Sequence, residues 1–291
     1  MPIIPNIATV KKYINVNYTN ATDSLPPMRK AETELRKVLG TALFTTVQTA
    51  ITANADTELV QLCQDYVCNY AYWLHLPDMM VQIGGTGLRV STTDNNPQPF
   101  KWQYREKRAA LAAKAMLALE DLLSYLLANS PAGWVKPKLY EGRCISSGTQ
   151  FSRYNPLRNP EAVFLQLLPI MEQVERTIIH NAIGKDFYDA LILTDDKVLE
   201  LIRFAVAAFT VKEAATKLSC QLTPDGFTVL MDPPDDPRSG QVSASDQKLS
   251  SFIAAAEAAA QGCLYDAKQL LNKNAAATGP YALYYASQLY T

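Results

Sequence analysis

One pattern occurs twice in this chain, and it constrains the fold more than any other feature. Around Gly40 the residues are Glu32-Thr-Glu-Leu35-Arg-Lys-Val-Leu39-Gly40-Thr-Ala-Leu43-Phe44, and around Gly184 they are Arg176-Thr-Ile-Ile179-His-Asn-Ala-Ile183-Gly184-Lys-Asp-Phe187-Tyr188. In both, apolar positions at helical spacing run up to a glycine and resume after it, so each segment reads as a helix, a break and a second helix. A second pair follows the first. Val81-Gln-Ile83 with Gly87-Leu-Arg-Val90 is echoed by Cys220-Gln-Leu222 with Gly226-Phe-Thr-Val229. A chain that repeats its scaffold but no cluster of reactive side chains points to an interaction protein.

The spacing predicts a mainly α fold of two tandem helical-bundle modules, each with a short β-hairpin, plus extended N-terminal, central and C-terminal arms. Pro2, Pro5, Pro26 and Pro27 mark residues 1–28 as an extended arm, with room for a short helix or strand at Val10–Ile14. Module 1 spans 29–129. Its helices run from about Met28 to Leu39 and from Thr41 to Ile51. A third carries the stripe Leu59, Leu62, Cys63, Tyr66, Val67, Tyr70, Trp73 and Leu74, capped at Asp56-Thr57 and ended by Pro77. A hairpin near 81–92 turns at Gly84-Gly85, and a last helix buries Leu111, Ala115, Leu119, Leu122 and Leu126.

Module 2, over 160–273, repeats the order. A helix over Pro160–Ala182 breaks at Gly184, a second carries Leu199, Ile202, Val206 and Phe209, and a hairpin lies near 220–231. A final helix over Gln247–Leu271 buries Phe252, Ala256, Ala259, Cys263, Ala267 and Leu270. Residues 130–159 form a linker arm in which Trp134, Lys136, Lys138, Arg143, Arg153 and Arg158 stand among Tyr140, Phe151 and Tyr154. This combination suits a protein-binding arm, and it also suits contact with nucleic acid, where cations neutralise phosphates and aromatics stack on bases. Residues 274–291 form an aromatic tail with Tyr281, Tyr284, Tyr285 and Tyr290.

Little in the sequence announces chemistry. The two histidines, His75 and His180, have no second histidine at helical spacing, and the five cysteines form no C-x-x-C pair. Gly84-Gly85-Thr86-Gly87 leads into a strand and lacks the lysine of a phosphate loop. Asp195-Asp196 and Asp235-Asp236 read as helix caps and solvated charge. We expect no enzyme, no cofactor and no metal. The formal charge of −1 gives no reason for strong non-specific binding to nucleic acid, although residues 1–145 hold 15 Lys+Arg against 12 Asp+Glu and the remainder 12 against 16. No signal-peptide pattern and no apolar run long enough to span a bilayer is present, so the expectation is a soluble protein made in the cytoplasm.

The segments Asn6-Ile-Ala-Thr-Val-Lys-Lys-Tyr-Ile14, Ala31-Glu through Leu39-Gly40 to Phe44, and Ile183-Gly184-x-x-Phe187-Tyr188 resemble an uncharacterised family encoded among virion structural genes of Bacteroidetes phages and prophages. The resemblance implies a head–tail connector or neck adaptor, located in the virion and made in the host cytoplasm. Such adaptors form rings, here of about twelve copies, beneath a portal and around the DNA channel. The implied partners are the chain itself, portal and tail or other neck proteins, and DNA in the channel, with no membrane. The expected interface residues are Val81, Ile83, Leu88, Val90, Leu222, Phe227, Val229, Tyr281, Tyr284, Tyr285 and Tyr290. The alternative is a nucleic-acid-binding module acting through the central arm.

Overall fold

The computed structural model describes residues 2–15, 25–84, 87–90, 101–137, 140–192, 197–218, 220–223, 226–229 and 244–278. The chain is mainly α and divides into two compact units, residues 1–136 and 137–291. In the first, α1 (Ile7–Tyr13), α2 (Arg29–Thr52) and α3 (Glu58–Met80) precede the hairpin β1 (Val81–Gly84) and β2 (Gly87–Val90), and α4 (Lys101–Asn129) closes the unit. In the second come α5 (Gly148–Phe151), α6 (Pro160–Val174), a π-helical turn (Glu175–Ile179), α7 (His180–Ile183), α8 (Lys185–Leu191) and α9 (Lys197–Lys217). The hairpin β3 (Cys220–Thr223) and β4 (Gly226–Val229) then leads to α10 (Ala244–Thr278).

Both units rest on the same backbone event. Gly40 sits at φ 75°, ψ 165° inside α2, and Gly184 at φ 83°, ψ 141° between α7 and α8. Positive φ with extended ψ is territory that residues with a Cβ avoid. The turn allows the pieces on both sides to bury an apolar face. Leu35 and Leu39 before Gly40, and Leu43, Phe44 and Val47 after it, are all buried, as are Ile179, Ile183, Tyr188 and Leu191 around Gly184.

In each unit the next long helix is central. α3 packs against α1, α2 and α4, and α9 packs against α6 and α10. Val198, Leu199, Ile202, Val206, Ala207, Phe209 and Val211 are all buried, so α9 is covered almost all round. The hairpins are antiparallel and in equivalent register: Val81 faces Val90 and Ile83 faces Leu88, while Cys220 faces Val229 and Leu222 faces Phe227.

Four expectations need correction. Residues 1–28 are not simply an arm, because Ile3, Ile4, Val10 and Ile14 are buried and α1 packs on α3, with Asn6 capping it by accepting from the Thr9 N–H at 3.0 Å. Pro77 does not end α3, which runs to Met80. A proline in the last turn removes one helical hydrogen bond near a terminus where few remain to be lost. In α10 the buried residues among those described are Ala256, Ala260, Ala267 and Leu271, whereas Ala259 is exposed and Phe252, Cys263 and Leu270 are half-buried. Finally, the central arm over 130–159 belongs to unit 2 from residue 137 onward, for reasons set out below.

No atom lies within 4 Å of where a Cβ on Gly40 would sit, so its replacement tests backbone strain without a clash. Gly40→Ala is expected to destabilise the protein by about 2 kcal/mol, and Gly184→Ala by a similar amount. Urea denaturation of both variants measures this.

Candidate interaction surface

The central segment is fixed by a buried carboxylate. Glu175 is buried, and its Oε2 accepts from the Arg143 guanidinium at 2.6 Å while its Oε1 accepts from the Tyr188 hydroxyl at 2.6 Å. The Cys144 thiol approaches the same Oε1 at 3.6 Å, and the Cys144 N–H donates to the Tyr188 hydroxyl at 3.2 Å. Burial pushes the Cys144 thiol and the Tyr188 phenol well up, so both keep their protons and act as donors. Arg143 also pairs with Glu172 at 3.1 Å. On the far side, the Arg203 Nε–H holds the Cys144 carbonyl at 2.9 Å. The His180 ring lies 4.8 Å from the Tyr188 ring, tilted by 57°, and burial lowers its pKa.

Unit 1 contains the same arrangement with different side chains. The Ile3 N–H donates to Glu32 at 2.7 Å, and the Gln64 amide donates to the Ile3 carbonyl at 3.2 Å. Tyr13 donates to Gln64 at 3.4 Å, and Tyr154 donates to Glu200 at 2.7 Å. Asn6 caps α1 as Ser147 caps α5, where the Gln150 N–H donates to the Ser147 hydroxyl at 3.1 Å. Residues 143–155 are therefore the second module's counterpart of residues 2–14, and the repeat starts earlier in each half than the sequence pattern shows.

Three positions separate Glu32 from Leu35, and four separate Glu175 from Ile179. The π-helical turn absorbs the extra residue. It keeps Glu175 under the incoming segment and Ile179 in the core.

These contacts decide where the expected site residues stand. Arg143 is committed to Glu175 and Glu172, so the phosphate-binding or partner-binding role expected of it is corrected. Tyr140 and Phe151 are core residues, with ring centroids 5.7 and 5.9 Å from Phe164, and are not free to stack on a base. Trp134 turns back within unit 1, its indole N–H donating to the Val38 carbonyl at 3.2 Å. Lys136 is half-buried, Arg153 and Arg158 are exposed, and Lys138 lies outside the described residues.

The hairpins differ from expectation as well. Phe227 is 0% exposed and Val229 6%, so neither offers an interface, and their assignment to one is corrected. The cause is an added chain alongside β4: the Phe227 N–H donates to the Pro156 carbonyl at 2.8 Å, and the Arg158 N–H donates to the Phe227 carbonyl at 2.9 Å. Leu157 thus forms a parallel bridge to Phe227. For Val81, Ile83, Leu88, Val90 and Leu222 the structure describes backbone pairing. Tyr281, Tyr284, Tyr285 and Tyr290 lie outside the described residues.

Exposed apolar side chains occur elsewhere. Trp102 (57% exposed) and Leu117 (52%) are on the outer face of α4, and Tyr265 (62%) is on the outer face of α10. A signal for them exists in the sequence. The α4 stripe from Leu111 to Leu126 leaves Trp102 and Leu117 on the opposite side of the helix, where the pattern has no use for them.

A family model described as a family of unknown function, DUF6712, matches residues 35–143 and 167–291. No curated protein and no solved structure matches the chain. The chain belongs to the DUF6712 family, with one matched segment lying mainly in each unit.

Removing the charge at the anchor leaves Arg143 largely buried without its closest partner. Glu175→Gln should cost about 3 kcal/mol in urea denaturation, and Arg143→Met added to it should restore part of the loss.

Proposed function

We propose that this DUF6712 protein is a virion structural protein, a head–tail connector or neck adaptor that assembles as a ring beneath a portal and around the DNA channel. The observation that carries this reading is how the two modules use their side chains. In each, buried and half-buried polar groups hold the module's own backbone: Glu32 and Gln64 grip Ile3, and Glu175, Tyr188 and Arg203 grip the stretch around Cys144. Large apolar side chains are left on outer helix faces instead. Groups arranged in this way make a rigid block with surfaces to offer, which suits a mechanical part. The resemblance to phage and prophage proteins encoded beside virion genes supports the same role.

The implied mechanism needs no cofactor and no catalytic group. Copies meet through unlike surfaces, and such contacts close into a ring when the rotation per copy divides a full turn. Portal, tail or other neck proteins then bind the two rims, and DNA passes through the middle. Nucleic-acid binding through the central segment is the weaker reading. Arg143, Tyr140 and Phe151 are committed inside unit 2, which leaves Arg153 and Arg158 as its exposed cations among the described residues.

Native mass spectrometry with negative-stain electron microscopy of the purified protein tests the proposal. A closed ring of many copies is expected, alone or on addition of a phage portal protein. A monomer under both conditions contradicts the proposal.

A further inference from the structure

Among the described residues the exposed large apolar side chains are Trp102, Leu117, Val135 and Tyr265. Three of the four stand on the outer faces of α4 and α10, the helices that close the two modules. We propose that the outer face of α4 in one copy docks antiparallel on the outer face of α10 in the next, joining copies head to tail. The proposal rests on the assembly reading above and names the contact that builds it.

The two faces match in length and relief. Trp102 and Leu117 are 15 residues apart, as are Ala254 and Gln269, and each stretch covers about 22 Å of helix. Between Trp102 and Leu117 the outer face of α4 carries the exposed Glu106 and then the small exposed residues Ala109 and Ala113. On α10 the exposed Ala254, Ala258 and Gly262 form a flat track that ends at Tyr265. Laid antiparallel, Leu117 falls against Ala254, Ala113 against Ala258, and Ala109 against Gly262. Trp102 then reaches Gln269, one turn from Tyr265, which lies opposite Glu106, so Leu117 meets small residues and the two aromatics lie within a turn of each other. Small residues at the crossing allow close approach of the backbones, and the aromatic pair supplies the buried area that small residues lack.

Charge favours the same direction. Lys107 and Asp121 are exposed on α4, and Lys248 and Asp266 are exposed on α10. Antiparallel docking places Lys107 near Asp266 and Asp121 near Lys248, both opposite-charge pairs. Exposed pairs add little affinity, but they do select orientation. A heterologous contact of this kind leaves one unused face at each end of a pair, which is what a ring or a chain of copies requires.

Two single variants and their mixture test the contact. Leu117→Glu disables the α4 face and Ala258→Arg the α10 face, both at exposed positions and with residues that favour helix. Circular dichroism melts close to wild type confirm that each variant folds. In sedimentation velocity, wild type should run as a multi-copy species and each variant as a single copy. An equimolar mixture should form a one-to-one pair, because each variant keeps the face the other needs. A mixture that stays single-copy overturns the proposal. So does an unchanged assembly in either variant, which would indicate a contact made elsewhere or between like faces. Wild-type copies that join through these faces yet never close, or never bind portal, would count against the connector reading and leave the contact intact.

Discussion

A helix that must bury both of its halves while changing direction sets the shape of each module. An unbroken helix from Arg29 to Thr52 would present one straight stripe, and Leu35, Leu39, Leu43 and Phe44 could not all reach the same core. The positive-φ glycine resolves this by letting the chain turn within one residue and resume helix at once. Gly40 and Gly184 adopt nearly the same unusual conformation in units that differ in most of their side chains. The conserved element within this chain is a backbone geometry, and the packing of α3 and α9 as central helices follows from it.

The second requirement is polar. An extended segment lying against a helical core brings N–H and C=O groups that must be satisfied. Each module does so at the corresponding place with its own chemistry. Unit 1 uses a carboxylate on the Ile3 N–H and an amide on its carbonyl. Unit 2 places a phenol on the Cys144 N–H and a guanidinium on its carbonyl, and orients the phenol with Glu175. The heavier apparatus of unit 2 brings a buried ion pair, and a π-helical turn sets its carboxylate in position despite an added residue. Polar groups held so closely are poorly placed to act on a ligand, which directs attention to the outer surfaces.

Much of this was legible in the sequence, and the failures have physical causes. The glycine breaks, the hairpins and the stripe Leu111–Leu126 follow from periodicity and turn chemistry, both of which are local. The segment 143–158 was misread because its order is not local. Its backbone is held by Glu175, Tyr188, Arg203 and Phe227, all distant in sequence, and it carries only one short helix of its own. Its arginines and aromatics looked like contact residues, whereas Arg143 and Phe151 face inward. The same blindness affected Phe227 and Val229. A two-stranded hairpin leaves an edge open to contact, and only the passage of Pro156 and Leu157 along β4 shows that this edge is taken. Trp102 and Leu117 stand out in the sequence as exceptions to the α4 stripe.

The second module therefore begins at the central segment, and Trp102, Leu117 and Tyr265 stand exposed on the outer helix faces. Hydrogen exchange of the native protein tests this most directly, read on the backbone amides of 143–158. The Cys144, Gly148 and Thr149 amides donate to Tyr188 and Glu161, and the Arg158 amide donates to Phe227. The predicted result is protection of these amides approaching that of the core helix α9. Complete exchange at the earliest times would show a free arm and contradict the account.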